Sequence, residues 1–285
     1  MGSLYIPERL VAKGQTSEGR AWLDRLPAAV EELSGRWSLH IGRPYEQEVS
    51  CAWVAPVTLA DGTAAALKLG LPHMEAGEEI EGLEFWAGEP TVRLLQADKG
   101  LNAMLLERCE PGAALRTLPE PEQDLVLAGL LRRLWRAPPP LHPFRPLGAM
   151  TAYWSEESLA ASSTWPDAGL AREGLGLFRE LPLSAPAQVL LATDLHAGNA
   201  LSARRESWLV IDPKPFVGDP AYDVTQHLLN CRGRLETDPE GLIRRMADLC
   251  EVEYERVKLW AFARLAAESG GEWGAATAVA RALAP

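Results

Sequence analysis

Long apolar stretches are missing from this 285-residue chain: no window holds 18 uninterrupted apolar residues, and the amino-terminal "MGSLYIPERLVAKG" has no cleavable apolar region. These absences point to a cytoplasmic protein with no membrane partner. Cysteine is scarce as well. The four thiols, Cys51, Cys109, Cys231 and Cys250, show no C-x-x-C spacing, so neither a zinc knuckle nor a disulfide framework is indicated and reduced thiols in a core are expected. Positive charge is in deficit: 28 Lys and Arg against 39 Asp and Glu give a formal net charge of −11. Such a field repels nucleic acid and anionic membranes and favours a cationic small-molecule partner. There is no internal repeat and no G-x-G-x-x-G.

What is present reads as an ordinary folded protein. A hydrophobic share of 47% and a charged share of 24% suit a globular core, and the length suits two lobes of roughly 100 to 180 residues. Residues 17–34 alternate apolar and charged positions at helical spacing; Pro27 breaks the pattern and Gly35 stops it, which predicts two short helices. The period then changes. "RWSLHI", "EVSCAWVAPVTL" and "TAAALKLGL" read as strands, with Asp61-Gly62 supplying a tight turn between the last two. A helix is predicted from Glu75 to Gly88 with Ile80, Leu83 and Trp86 on one face, and "TVRLLQAD" and "NAMLLERC" complete a five-stranded antiparallel set.

Beyond Pro111 the pattern turns helical. Leu125, Leu127, Leu130, Leu131 and Leu134 recur at helical intervals before "PPPLHPF", and further helices are predicted around 151–161, 168–181, 220–231, 239–250 and 253–268. The sequence thus predicts an α+β chain: a small β-rich lobe with one inserted helix over residues 1–108, and a larger α-rich lobe over 109–285, hinged near 106–112.

Between runs that read as short strands, "LLATDLHAGNALSARRESWLVIDPKPFVGDPAYD" (190–223) packs four aspartates, an asparagine and a histidine. Carboxylates flanked by apolar residues repel one another and cost desolvation energy unless cations or donors compensate. The stretch therefore reads as a site built to hold a cation. Asp194 and Asn199 stand five positions apart and Asp212 follows the apolar "WLVI"; such a set can offer hard oxygen ligands to one or two magnesium ions. Asn199 would coordinate through a neutral oxygen, adding no negative charge. An aspartate, an asparagine five residues on, and a second aspartate after a short hairpin repeat the order of the protein-kinase template. That template also needs a strand lysine paired with a helix glutamate, which "AAALKLG" supplies as Lys68 and the following helix as Glu79, with Glu78 as fallback.

With these residues in hand the chain resembles the aminoglycoside and hydroxyurea antibiotic-resistance kinases, which include the streptomycin 6-phosphotransferases. "ALKL", "EEIEGLEFW", "NAMLLERCEPGAAL", "TDLHAGNAL" and "WLVIDPKPFVGDPAYD" carry the resemblance, over roughly residues 37–232. It implies a bilobal protein-kinase-like fold, ATP and magnesium as cofactors, and transfer of the γ-phosphoryl group to an alcohol group of a small molecule, such as streptomycin or hydroxyurea. By resemblance Asp194 is the catalytic aspartate, Asn199 and Asp212 are magnesium ligands, Lys68 contacts ATP phosphates and Glu79 orients Lys68. Backbone groups from Glu107 to Cys109 would face adenine, Asp223 would brace the catalytic loop, and Ser50 would belong to the loop covering the phosphates.

The chain departs from the family's usual His-Gly-Asp-Leu-His, since Ala192 and Thr193 precede Asp194. Losing the histidine removes a side chain that normally supports the loop, and Thr193 is β-branched where glycine is flexible; together they open a second reading, a catalytically weak or inactive nucleotide-binding protein. A third is a metal-dependent phosphoesterase built on "DLH", for which His227 is the one histidine after His196. Bland roles are also expected: His196 packs against its own loop, Asp219 caps the helix starting near Pro220, and the ten tryptophans are mostly core. Lys214 reads equally as a phosphate contact or a solvated charge. Glu236, Asp238 and Glu240 read equally as a lure for a polyamine or a solvated helix start.

Overall fold

The computed structural model describes residues 4–46, 51–267 and 273–285. They form two compact units, Met1–Gly112 with Ala203–Arg205, and Ala113–Ser202 with Glu206–Pro285. The first unit thus runs to Gly112 rather than 108 and recruits three residues from far along the sequence. Arg205 gives the reason: its guanidinium donates to both carboxylate oxygens of Glu107, at 3.1 and 2.9 Å, and to the carbonyls of Gly88 and Thr91.

The first unit opens with α1 (Glu8–Lys13) and α2 (Ser17–Arg36), followed by β1 (Leu39–Ile41), β2 (Ala52–Leu59), β3 (Ala64–Gly70), α3 (Glu79–Trp86), β4 (Leu94–Asp98) and β5 (Ala103–Glu107). The strands form one antiparallel sheet in the order β1-β2-β3-β5-β4. Gly62, at φ +86°, closes the β2–β3 turn in a conformation open to glycine without strain.

Two expectations need correction. The predicted pair of short helices is one 20-residue helix that carries Pro27 inside it. Proline in a helix interior costs ~3 kcal/mol, but Trp22, Leu26, Val30 and Leu33 form one continuous buried stripe across the proline and pack with the sheet residues Trp53, Leu67 and Leu69. Each such side chain is worth ~1.5–3 kcal/mol on burial, so the stripe outweighs the break. The helix predicted from Glu75 begins at Glu79, a 3₁₀ turn at Met74–Ala76 taking up the difference.

The second unit holds α4 (Glu120–Leu134), α5 (Leu147–Ala160), α6 (Ala168–Glu180), β6 (Val189–Leu191), β7 (Ala200–Ser202), β8 (Trp208–Val210), β9 (Phe216–Gly218), α7 (Pro220–Asn230), α8 (Arg232–Thr237), α9 (Pro239–Cys250), α10 (Tyr254–Ala267) and α11 (Ala276–Leu283). Its strands make two antiparallel ribbons, β6–β9 and β7–β8. α10 is the central helix: Val257, Trp260, Ala261, Phe262 and Leu265 are buried, and it packs against α6, α7, α9 and α11. The sequence did not announce α1, α8 and α11, whose six to eight residues are too few for a convincing period. No helix among the described residues is long and apolar enough to cross a membrane.

Candidate active site

In the first unit, side-chain alternation along β3 sends Leu67 and Leu69 into the core beneath α2 and turns Lys68 to the opposite face of the sheet. The ammonium is buried, and it donates to both carboxylate oxygens of Glu79, at 2.5 and 2.6 Å. Glu79 is the first residue of α3, where the helix dipole favours a negative charge. Glu78 stands just ahead of the helix as its N-cap residue. Breaking one half of such a buried pair strands the other half uncompensated, at ~3–5 kcal/mol. The pair therefore fixes the position of the ammonium.

Glu107 ends β5, and its carboxylate also accepts from the Arg93 backbone N–H at 3.1 Å. Burial works to raise this carboxyl, but the Arg205 guanidinium holds it below the usual range. Burial pushes the neighbouring Cys109 thiol up to about 12, so it is a protonated thiol at neutral pH. Cys231 and Cys250 are buried and shifted likewise, to about 12. All four cysteines are free, with Cys51 and Cys109 partly exposed rather than in the core. Ser50 lies outside the described residues.

In the second unit two buried aspartates of the α7 region have distinct structural roles. Asp219 caps α7 by accepting from Ala221 N–H and is held in place by Trp260 and Arg256. Asp223 accepts from Ala192 N–H at 3.0 Å, Thr193 N–H at 2.7 Å and Trp135 Nε1 at 3.0 Å, which braces the turn into Asp194. Burial pushes the Asp223 carboxyl up to about 6 against the pull of these donors.

Thr193 sits at φ +45°, a left-handed conformation rare for a β-branched residue. It is held there by Asp223 and by its own hydroxyl, which donates to Lys214 O at 2.7 Å. The threonine thus adopts the left-handed geometry that glycine reaches without strain, its cost met by buried hydrogen bonds.

Asp212 is likewise left-handed, at φ +53°. Its neighbours are tied to the loop of residues 192–199: Ile211 N–H donates to Asn199 O at 2.9 Å and Lys214 N–H to Ala192 O at 2.8 Å. The backbone thereby brings Asp194, Asn199 and Asp212 together. Asn199 Nδ2 donates to Asp194 O at 2.9 Å and is 3.5 Å from Asp194 Oδ2. Burial pushes the Asp194 carboxyl above its ordinary range; His196, Lys214 and Arg264 pull it down, and the Asp212 carboxylate pushes it further up.

The sequence reading left Lys214 open and passed over Gln226. Lys214 is neither solvated nor on the surface: it is buried, and its ammonium is paired with Asp212. Gln226 Nε2 donates to Asp194 Oδ1 at 2.7 Å. The signal for it was its place one turn after Asp223 on the same face of α7. His196 keeps its structural role, its Nδ1 accepting from Gly198 N–H at 3.0 Å.

His227 does not join His196. Its Nε2 is 2.7 Å from Asp124, whose carboxylate also takes two bonds from Arg234 and one from Arg245. Among the described residues Asp124, His227 and Cys231 are close enough to share an ion, but two guanidiniums already neutralise that carboxylate. Burial would raise Asp124, and His227, Arg234 and Arg245 instead hold it well below the carboxylate range. The phosphoesterase reading therefore has no second histidine ligand. The acidic group near 238 is also structural: Asp238 caps α9, Glu240 meets Lys258 and Glu236 accepts from Trp273.

The family model for aminoglycoside/hydroxyurea antibiotic resistance kinases matches residues 36–276. Streptomycin 6-kinase of Streptomyces glaucescens is 38% identical over 274 residues, covering 91% of this chain and 88% of that protein. Hydroxyurea phosphotransferase of Kitasatospora aureofaciens is 36% identical over 255 residues, covering 87% and 73%. Choline kinase LicA from Streptococcus pneumoniae shares the fold, with a TM-score of 0.61 at 13% identity over 90% of this chain and 98% of that one. The chain, with its antiparallel-sheet unit followed by a helical one, belongs to the aminoglycoside/hydroxyurea antibiotic-resistance kinase family.

Proposed function

We propose that this protein transfers the γ-phosphoryl group of ATP to a hydroxyl of a small molecule, with streptomycin and hydroxyurea, named by its relatives, as the first acceptors to test. The observation that carries the reading is the set Asp194, Asn199 and Asp212, assembled by backbone bonds from two separate segments of the chain. In this reading Asp194 is the catalytic residue. Gln226 and Asn199 fix its carboxylate, and its raised proton affinity suits it to orient the acceptor hydroxyl and take its proton late in transfer.

The donors fit a magnesium ion. Asp212 and Asn199 present hard oxygen atoms, and the Lys214 ammonium at Asp212 marks that carboxylate as a place where positive charge is stabilised. With its Nδ2 engaged by Asp194, Asn199 has its oxygen left for a cation. When bound, the ion would neutralise charge on the phosphates. Lys68 would pair with the α and β phosphates, oriented by Glu79, and the backbone of Glu107 to Cys109 would take the adenine edge. Arg264, buried and anchored to Thr225 at 3.0 Å, supports the loop through its field on Asp194.

The Thr193 half of the motive for the weak or inactive reading is met by the buried bonds that hold it left-handed; at Ala192, which lacks the family's histidine side chain, the backbone alone is tied, its N–H to Asp223 and its carbonyl to Lys214 N–H. An ATP-consumption screen against aminoglycosides, hydroxyurea and common hydroxylated metabolites tests the proposal, with Asp194→Asn as the blank. Acceptor-dependent ADP release by the wild type alone supports it. Equal release by both proteins, or none with any acceptor, contradicts it.

A further inference from the structure

Outside the carboxylate set, the second unit contains a pocket of about 260 Å³ where α5, the α5–α6 connection, α6 and α10 meet. Two indole rings, Trp154 and Trp165, and the ring of Phe178 line it, together with Ser158 and Ala267, and Glu157 is the charged residue of its wall. We propose that this pocket is the acceptor-binding subsite for an organic cation, a guanidinium or ammonium group carried by the molecule to be phosphorylated. This rests on the kinase reading above.

Three features converge on positive charge. Aromatic faces attract cations, with Trp the strongest. Glu157 adds a full negative charge, and the pocket wall includes Ala161, the C-cap of α5, where the helix dipole is negative. A volume of about 260 Å³ suits one planar charged group rather than a whole aminoglycoside.

One of the rings, Trp165, is set before any ligand arrives. Trp165 Nε1 donates to Ser158 Oγ at 3.2 Å, and that hydroxyl donates to Ala267 O at 2.8 Å, which fixes the α5–α6 connection to α10. Two residues beyond Trp165, Asp167 caps α6 by accepting from Gly169 and Leu170 and is held by Arg281 at 2.8 Å. Such preorganisation lowers the ordering cost of binding.

The link to the reaction runs along α10. Arg264 of this helix donates to Thr225 Oγ1 at 3.0 Å, and the next residue of α7, Gln226, donates to Asp194 Oδ1 at 2.7 Å; Ala267, at the pocket, lies three residues beyond Arg264, ~4.5 Å along the axis. A cationic group held here would leave the rest of the acceptor to reach toward Asp194.

The test separates binding from turnover. Ligand-observed NMR on the whole chain, without nucleotide, would use methylguanidinium and its neutral counterpart N-methylurea. We expect methylguanidinium to bind and N-methylurea not to, with Trp154→Ala and Glu157→Gln each weakening binding at least fivefold. Trp154 is 38% exposed, so its truncation spares the core; an unchanged thermal transition checks this. In steady-state assays Trp154→Ala should raise the KM for streptomycin, whose guanidino groups are cationic, about tenfold while kcat stays within twofold and KM for hydroxyurea is unmoved. Equal binding of N-methylurea, or streptomycin turnover with unaltered KM in both variants, overturns the subsite and leaves the kinase reading standing. Methylguanidinium binding lost in the variants, with no phosphorylation of any acceptor by the wild type, supports a cation pocket and overturns the kinase reading.

Discussion

The two units carry their proposed chemistry in opposite electrostatic states. In the first, Lys68 and Glu79 neutralise each other: one buried ammonium meets one buried carboxylate through two short hydrogen bonds. In the second, Asp194 and Asp212 stand in the field of the buried Lys214 and Arg264, and burial still raises the proton affinity of Asp194. The difference teaches what each region is for. A closed pair holds a geometry. A carboxylate that burial holds above its ordinary proton affinity favours a further positive charge, and in the reading proposed above that charge is the metal carried with the nucleotide.

The comparison is broken most severely at Asp194. Asp194→Asn keeps the shape and removes the proposed proton acceptor, so kcat should fall by ~10²-fold or more, the scale of general-base assistance, with ATP affinity little changed. Steady-state kinetics beside nucleotide titration would show it, and near-normal turnover would refute the assignment.

Next comes the closed pair. Lys68→Met leaves Glu79 buried without a partner and should cost ~3–5 kcal/mol in urea unfolding. The double replacement Lys68→Met with Glu79→Leu should recover part of that loss, because two apolar side chains carry no stranded charge. A cost no greater for the single variant than for the double one would show that the pair is not electrostatically closed.

Asp223 gives a pH signature. Its carboxyl is pushed from 3.8 up to about 6 by burial, so between these values the folded chain holds a proton that the unfolded chain has released. Stability from this group is present below about pH 4 and declines as pH rises through about 6, by ~3 kcal/mol in total. Asp223→Asn should flatten that part of the stability-pH curve; an unchanged slope would contradict the shift.

The smallest effect is expected at Thr193. Thr193→Gly relieves a left-handed threonine but removes its hydroxyl bond to Lys214 O. These oppose each other, so stability should move by less than ~1 kcal/mol and kcat by less than about threefold. A collapse of activity would mean that the hydroxyl does more than hold the turn.

Much of this was legible in the sequence because the decisive patterns are local. Strand alternation exposed Lys68 among apolar neighbours, and an asparagine five residues after an aspartate survives any detail of packing. Pro27 misled because local propensity says nothing of the stripe from Trp22 to Leu33 that overrides it. Lys214 was ambiguous because burial and pairing with Asp212 depend on a left-handed backbone turn that residue type does not announce. Arg205 reaches Glu107 across 98 positions of sequence, a separation at which spacing carries no information. Gln226 lay on a face already marked by Asp223 and could have been found from helical periodicity alone.

The most direct test of the cation claim is calorimetric titration of ATP with and without magnesium, for the wild type and Asp212→Ala. We expect magnesium to strengthen ATP binding to the wild type at least tenfold and to leave the variant's weak binding unchanged. Equal magnesium dependence in the two proteins would contradict the account.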